Sequence, residues 1–242
     1  METPVRQNRM WKGCDSDEIS EAMTCLETYI LDRRPVFNRI FASLDQERAR
    51  DAALAEKLRV LQFVKPSHLD IHSVFRFHPA FTLARKEIAR LNDVMSPAGK
   101  VQIVYRTARL IQHVLLDSPG EDDATHADNF LPLMIYTILQ AQPLSLNFNV
   151  EYVSRFRHPE RLNGEAAYYF TQFSSAVFFL ENLTASSLSL DPAEFTRRAQ
   201  SRQRRRHSDP GVVGENTEMP QVAPSSLLID PEWPSPERNH SY

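Results

Sequence analysis

Apolar residues recur along this chain at spacings of three and four positions, which is the period of an amphipathic α-helix. No segment shows the period-two alternation of a strand, and no unit repeats at a fixed period. The apolar stripes begin at Ile19, Val36, Leu54, Phe81, Val101, Phe130, Leu146 and Tyr169. The sequence therefore predicts an all-α fold in which helices pack in layers.

Start signals accompany several of these stripes. Asp15 followed by Glu18 has the spacing of a capping box, and Ser96 precedes a proline in the manner of an N-cap. Prolines suited to the first turn of a helix stand at three further starts, Pro35, Pro79 and Pro192. We expect the last of these helices to end by about residue 203.

Two segments stand out from this regular pattern. Residues 130–139 are apolar on every side of a helix, which predicts a buried central helix. The second segment begins at Gly164 and has two distinct faces. One face is an apolar stripe that starts at Tyr169, whereas Tyr168, Thr171 and Ser175 fall on the opposite side. The second face is predicted to be a docking surface.

Composition divides the chain into four parts. Residues 1–14 are polar and aperiodic, and residues 204–242 are rich in proline, serine and charge, so both are expected to be disordered. Residues 15–94 are expected to form a helical bundle that supports a core at residues 95–203.

Composition also excludes several functions. None of the six glycines lies in a phosphate-binding loop pattern, so a nucleotide would belong to a partner. A net charge of −3 with intermingled signs argues against nucleic acid as a partner. The two cysteines suggest neither a disulfide framework nor a zinc site. Without a signal-peptide pattern or a long apolar run, we expect a cytoplasmic protein whose membrane contact is peripheral at most.

Four sequence blocks resemble one family in order and spacing. They are ADNFLP (127–132), SRFRHPERL (154–162), GEAAYYFT (164–171) and SAVFFLENL (175–183). Together they are similar to the Vps-nine domain, with weaker similarity reaching back to about Asp15. Members of that family are guanine nucleotide exchange factors for Rab-five-type small GTPases of early endosomes. The resemblance implies a layered helical exchange domain that needs no cofactor and no metal.

The resemblance assigns the acidic catalytic position to Asp128, four residues before Pro132. In the family, this carboxylate enters the phosphate and magnesium site of the GTPase. Local sequence favours a different role, because an Asp at a helix start is usually an N-cap and Pro132 would be tolerated in a first turn. The two roles could coexist.

Tyr168 and Thr171 match the family positions that contact the switch regions of the GTPase. The resemblance also implies that Leu131, Pro132 and Asn129 shape the same surface. The residues alone favour a different role for Tyr168 and Thr171, namely packing between helix layers. A tyrosine is nevertheless a common interface anchor, because it buries a large area while its hydroxyl stays hydrogen-bonded.

Three further groups have alternative interpretations. His68, Asp70 and His72 could bind a metal if the segment were extended, although Leu69 and Ile71 indicate a structural role. Basic residues before Ser208 and a proline two positions after it resemble a site for a phosphoserine adaptor. A solvated charge run and a weak contact with anionic lipid are the alternatives for this stretch. Three arginines are expected to join helix layers by pairing with acids and carbonyls, namely Arg155, Arg157 and Arg161.

The sequence therefore supports one main hypothesis and two rivals. The main hypothesis is a guanine nucleotide exchange factor that promotes GDP release from a Rab-five-like GTPase and makes no covalent bond. It would act in the cytoplasm, peripherally on early endosomes. The rivals are a non-catalytic GTPase-binding scaffold of endosomal trafficking and a metal-dependent hydrolase centred on His68.

Overall fold

Nine α-helices and seven short 3-10 helices account for most of the residues that the computed structural model describes, which are 8–43, 45–117 and 123–207. The α-helices are α1 (Ser16–Leu31), α2 (Arg34–Ser43), α3 (Asp45–Val60), α4 (Pro79–Ala89), α5 (Pro97–Leu116), α6 (Asp123–Ala141), α7 (Leu146–Phe156), α8 (Gly164–Asn182) and α9 (Pro192–His207). The 3-10 helices are Arg9–Trp11, Leu61–Phe63, Pro66–Leu69, Ser73–Phe77, Arg90–Asn92, Pro159–Arg161 and Ala185–Ser187. No strand occurs within the described ranges, so the predicted all-α class is confirmed.

The predicted start signals work as expected. The Asp15 carboxylate accepts from the backbone N–H of Glu18 at 2.8 Å, and Glu18 returns the bond to the Asp15 amide at 3.0 Å. This is a complete capping box. The Ser96 hydroxyl accepts from the Gly99 amide at 3.2 Å, with Pro97 in the first turn of α5.

The core forms around α6. Apolar residues 133–135, 138 and 139 of this helix are almost inaccessible, which confirms the predicted buried central helix. Helices α4, α5 and α8 pack against it. A single apolar cluster includes Leu54, Phe81, Ile111 and Phe173, and it therefore crosses the boundary predicted at residues 94 and 95.

The N-terminal helices are joined to the core by polar as well as apolar contacts. The Asp51 carboxylate of α3 accepts from the backbone amides of Asn147 at 2.6 Å and Phe148 at 3.0 Å. These amides are at the start of α7, where Ser145 has a left-handed φ of 57° and provides no side-chain cap. A residue from α3 therefore supplies the cap that the local sequence lacks.

Helix α1 is only partly buried. Ile19, Met23 and Leu31 point into the protein, whereas Leu26 and Ile30 border an open apolar groove beside Phe156. The predicted stripe on this helix is thus buried along only part of its length. Among the described residues, no helix is both long and apolar enough to cross a bilayer.

Helix α9 continues to His207, past the expected end at residue 203. The predicted tail from residue 208 onward, including the candidate phosphoserine site at Ser208, lies outside the described residues. So do residues 1–7 of the predicted N-terminal segment.

Candidate functional site

An aromatic contact holds α6 against α8 near the beginning of both helices. The ring centroids of Phe130 and Tyr169 are 5.5 Å apart, and the ring of Tyr105 on α5 lies 5.9 Å from Tyr169 on another side. Tyr169 is only 2% exposed, and burial raises the pKa of its hydroxyl. These three rings fix the position of α8 relative to α5 and α6.

Asp128 and Tyr168 flank this contact on the outside. Asp128 is exposed and precedes the buried Phe130 by two positions, which is about 200° around a helix. Tyr168 is 54% exposed and directly precedes Tyr169. Both side chains therefore lie at the same end of the helix pair, and both are accessible from solvent.

Asp128 does not begin its helix. Helix α6 starts at Asp123, so Asp128 is in the second turn and cannot be the N-cap. The capping role considered from local sequence is therefore wrong. The side-chain oxygen of an N-cap accepts hydrogen bonds from the free amides of the first turn, and a carboxylate in the second turn comes after those amides.

Pro132 is likewise inside α6 rather than in its first turn. A proline has no N–H, so the Asp128 carbonyl lacks its normal partner four residues later. The expectation that Pro132 occupies a first turn is thus wrong, and the helix has a missing hydrogen bond beside the candidate catalytic residue. Leu131 and Pro132 are half-buried on the same face as Asp128, and Asn129 is half-buried to one side.

Helix α8 has the two faces that its sequence predicts. Its buried side includes Tyr169, Phe173, Ala176 and Leu180, whereas Tyr168, Thr171 and Ser175 are exposed. The Thr171 hydroxyl donates to the Ala167 carbonyl at 2.9 Å. Its proton is engaged within the helix, so the oxygen faces solvent as an acceptor.

Sequence reasoning missed one residue of this exposed face. Phe178 is 66% exposed and follows Tyr168 by ten positions, which continues the series 168, 171, 175 and 178 along one side of α8. Its spacing from Tyr168, Thr171 and Ser175 is the sequence signal that could have revealed it. An exposed phenylalanine in line with an exposed tyrosine extends the candidate surface.

The first turn of α8 is tied to α5. Glu165 accepts a hydrogen bond from the Tyr105 hydroxyl at 3.0 Å and lies 3.4 Å from an Arg109 guanidinium nitrogen. The hydrogen bond to the Glu165 carboxylate raises the pKa of Tyr105. Gly164 has a φ of +59°, a left-handed conformation that suits glycine at this entry to the helix.

The three side chains considered as a metal site, those of His68, Asp70 and His72, do not meet at one point. Asp70 accepts from the Ser189 hydroxyl at 2.5 Å, while His68 and His72 accept from the nearby amides of Lys65 and Val74.

Within the described ranges, one group of three potential ligands does meet, and it is formed by His78, His113 and Asp117. Asp117 lies 3.2 Å from His78 and 2.8 Å from His113, while His78 also caps α4. Protein contacts already engage these side chains.

Two of the three arginines act as the sequence predicts, namely Arg155 in the last turn of α7 and Arg157 at its C-cap. Arg157 contacts both carboxylate oxygens of Glu27 at 3.1 Å and donates to the Arg161 carbonyl at 3.2 Å. Arg155 is an ion-pair partner of Glu151 and of Glu47. Both arginines therefore join helix layers.

Comparison with known proteins gives this arrangement a family. The model of the Vacuolar sorting protein 9 (VPS9) domain matches residues 81–185, a range that includes α5 to α8 and every candidate site residue. The chain carries a VPS9 domain. The match includes both helices on which Asp128 and Tyr168 lie.

Curated relatives extend the similarity beyond the VPS9 domain. Vacuolar protein sorting-associated protein 9A of Arabidopsis thaliana is 36% identical over 204 residues, which cover 83% of this chain and 39% of the relative. The vps901 protein of Schizosaccharomyces pombe is 31% identical over 201 residues, covering 79% and 35%. The Rab5 GDP/GTP exchange factor of Mus musculus is 30% identical over 185 residues, covering 75% and 37%. The chain thus spans less than two fifths of the length of each of these three relatives.

Proposed function

We propose that this chain is a guanine nucleotide exchange factor for a Rab GTPase of the Rab5 type. The observation that carries the proposal is the exposure of Asp128 and Tyr168 at the same end of α6 and α8, whose register is set by Phe130 and Tyr169. The VPS9 domain and the similarity to a Rab5 GDP/GTP exchange factor support it.

The Asp128 carboxylate acts on the phosphate site of the GTPase. A GTPase holds its nucleotide through a lysine, backbone amides and Mg²⁺ around the phosphates. A carboxylate inserted there replaces phosphate as the partner of the lysine through a charge-assisted hydrogen bond, and it repels the phosphate charge that remains. The Asp128 carbonyl, which lacks a helix partner because of Pro132, adds a second acceptor on the same residue.

Tyr168 provides most of the contact area on the second helix. Its exposed ring packs on the switch regions of the GTPase, and the Thr171 oxygen accepts a hydrogen bond beside it. Leu131, Pro132 and Asn129 shape the surface next to Asp128. The arrangement makes no covalent bond, since the chain accelerates release by binding the nucleotide-free GTPase more tightly than the loaded form.

This function places the chain at the cytoplasmic side of endosomes, where Rab5-type GTPases act. Its contact with the membrane is peripheral and depends in part on the GTPase.

A panel assay tests the proposal. Purified Rab GTPases loaded with a fluorescent GDP analogue are mixed with the chain and excess GTP, and release is followed over time. We expect acceleration that rises with the concentration of the chain and is greatest for Rab5-type members. Binding to these GTPases without faster release would identify a non-catalytic scaffold and contradict the proposal.

A further inference from the structure

A second concave site lies on the opposite part of α6, away from Asp128. It is formed by the 3-10 helix Leu61–Phe63 with the two residues after it, the 3-10 helix Ser73–Phe77, α4, the C-terminal half of α6 and the middle of α9, and it has a volume of about 580 Å³. Tyr136 in this cleft follows Asp128 by eight residues, which is about 12 Å along the helix. The cleft is therefore separate from the proposed GTPase contact.

All charged side chains that line the cleft are basic, namely Lys65, Arg76, Arg85, Arg198 and Arg202. The whole chain contains 28 basic and 31 acidic residues, so this single sign is a local feature and does not reflect composition. Low-dielectric walls of a cleft concentrate the field of such a group of charges and favour anions.

The floor of the cleft carries an unused hydrogen-bond donor. Tyr136 is 5% exposed, and its ring stacks on Phe81 with centroids 5.5 Å apart and planes 12° from parallel. Within the described ranges, no group hydrogen-bonds to its hydroxyl. Burial raises the pKa of Tyr136 while the charges of Arg76 and Arg85 oppose this rise, so the phenol remains protonated at neutral pH.

Arg85 adds a second unsatisfied donor. Its Nε is buried without a hydrogen-bond partner, and its guanidinium lies 6.0 Å from the centroid of the Phe81 ring. One terminal nitrogen makes only a long contact of 3.5 Å with the Gln140 carbonyl. Buried donors are nearly always satisfied in proteins, so Arg85 has hydrogen-bonding capacity that the described residues leave unused.

The rim of the cleft provides further cations. The Arg76 guanidinium lies 4.7 Å from the centroid of the exposed Phe77 ring, and Arg198 pairs with Glu194. Neither Lys65 nor Arg202 forms an ion pair with another described residue. Several guanidinium groups around one concavity favour phosphate as a ligand, because two N–H groups of one guanidinium can donate parallel hydrogen bonds to two phosphate oxygens.

We propose that this cleft binds a small anion bearing at least two phosphate groups, with the chemistry of an inositol phosphate. Tyr136 and Arg85 donate to the inner phosphate, and Arg76, Lys65 and Arg202 neutralise the outer ones. Such an anion can be free in solution or be the headgroup of a membrane lipid.

Titration calorimetry with the full chain tests binding of inositol 1,4,5-trisphosphate. The Arg76→Gln/Arg85→Gln double variant removes two cleft charges, and Tyr136→Phe removes only the hydroxyl. The matched control is Arg39→Gln/Arg106→Gln, which removes two exposed charges outside the cleft. We expect the cleft double variant to lose about tenfold or more in affinity and Tyr136→Phe to lose several-fold. The control should change affinity by less than about twofold.

Vesicles distinguish the source of the phosphate. One set contains phosphatidylinositol bisphosphate in phosphatidylcholine, and the other contains phosphatidylserine at the same total charge. Preference for the first set, lost in the cleft double variant, supports a lipid headgroup, whereas binding of the trisphosphate without vesicle binding supports a soluble anion. Equal binding to both sets, or equal loss in the cleft and control variants, would overturn the proposal, as would no binding of either ligand. Unchanged thermal unfolding of each variant excludes misfolding as the cause.

Discussion

Phe130 of α6 and Tyr169 of α8 contact each other through rings whose centroids are 5.5 Å apart. The contact determines which exposed residues of the two helices become neighbours in space. Asp128 and Tyr168 reach solvent at the same end because each precedes one of these buried rings. The geometry of the candidate site therefore depends on two buried residues, Phe130 and Tyr169.

The adjacent tyrosines of α8 should respond to mutation in opposite ways. Tyr169→Ala removes a buried ring and should lower the free energy of unfolding by about 3–5 kcal/mol. Tyr168→Ala should change it by less than about 0.5 kcal/mol, because the ring is more than half exposed. Chemical denaturation of both variants measures the difference.

Tyr168→Ala should nevertheless weaken binding of the nucleotide-free GTPase by about tenfold or more, as expected for an interface anchor. Tyr168→Phe keeps the ring and serves as the control, so it should retain most of the affinity. Calorimetric or optical binding measurements follow both. Full affinity in Tyr168→Ala would show that the ring makes no contact.

A buried lysine should make stability depend on pH. Lys100 is 1% exposed, and burial lowers its pKa to about 7, while its ammonium donates to the Leu91 carbonyl at 3.0 Å. The unfolded chain holds this proton up to a pKa near 10.5, so between these values it binds more protons than the folded chain. Stability should therefore rise with pH across this window, by on the order of 3 kcal/mol from pH 7 to pH 9.5.

Lys100→Met keeps a similar length without the charge and should remove this contribution. The variant should be more stable than the parent at pH 7, and the difference should shrink at pH 9.5. Urea unfolding of both proteins at the two pH values checks it. A constant difference would show that the lysine is charged in both states.

The cap that Asp51 gives to α7 should be a major link between the N-terminal helices and the core. Asp51→Ala leaves the amides of Asn147 and Phe148 buried without acceptors, which should cost about 1–3 kcal/mol for each unsatisfied group. Gln46→Ala on the exposed side of α3 is the control and should be nearly neutral. Equal unfolding midpoints for the two variants would contradict this role.

The helices were predictable because their signals are local. The capping box at Asp15, the proline after Ser96 and the two faces of α8 each depend on residues within one helix. The start of α6 was not predictable in the same way. Pro132 usually marks a first turn, but here the core packing of α6 tolerates a proline in its interior.

Features that join distant segments were also beyond sequence reasoning. Lys100 is buried on the same side of α5 as Val104 and Ile111, where the Leu91 carbonyl accepts a hydrogen bond from its ammonium. The basic cleft gathers residues from Lys65 to Arg202, which no spacing rule connects. By contrast, the position of Asp128 relative to Tyr168 could be anticipated through the family resemblance, although their roles stay predictions.

The most direct measurement is GDP release from a Rab5-type GTPase with Asp128→Asn, which removes the negative charge and keeps the shape of the side chain. Asp93→Asn is the matched control. Asp93 lies between the 3-10 helix Arg90–Asn92 and the start of α5, so this variant removes the charge of an exposed Asp within the same domain but far along the chain from α6. We expect unchanged unfolding for both variants, parent-like release with Asp93→Asn, and release close to the uncatalysed rate with Asp128→Asn. Parent-like release with Asp128→Asn would contradict the central claim that this carboxylate displaces the nucleotide.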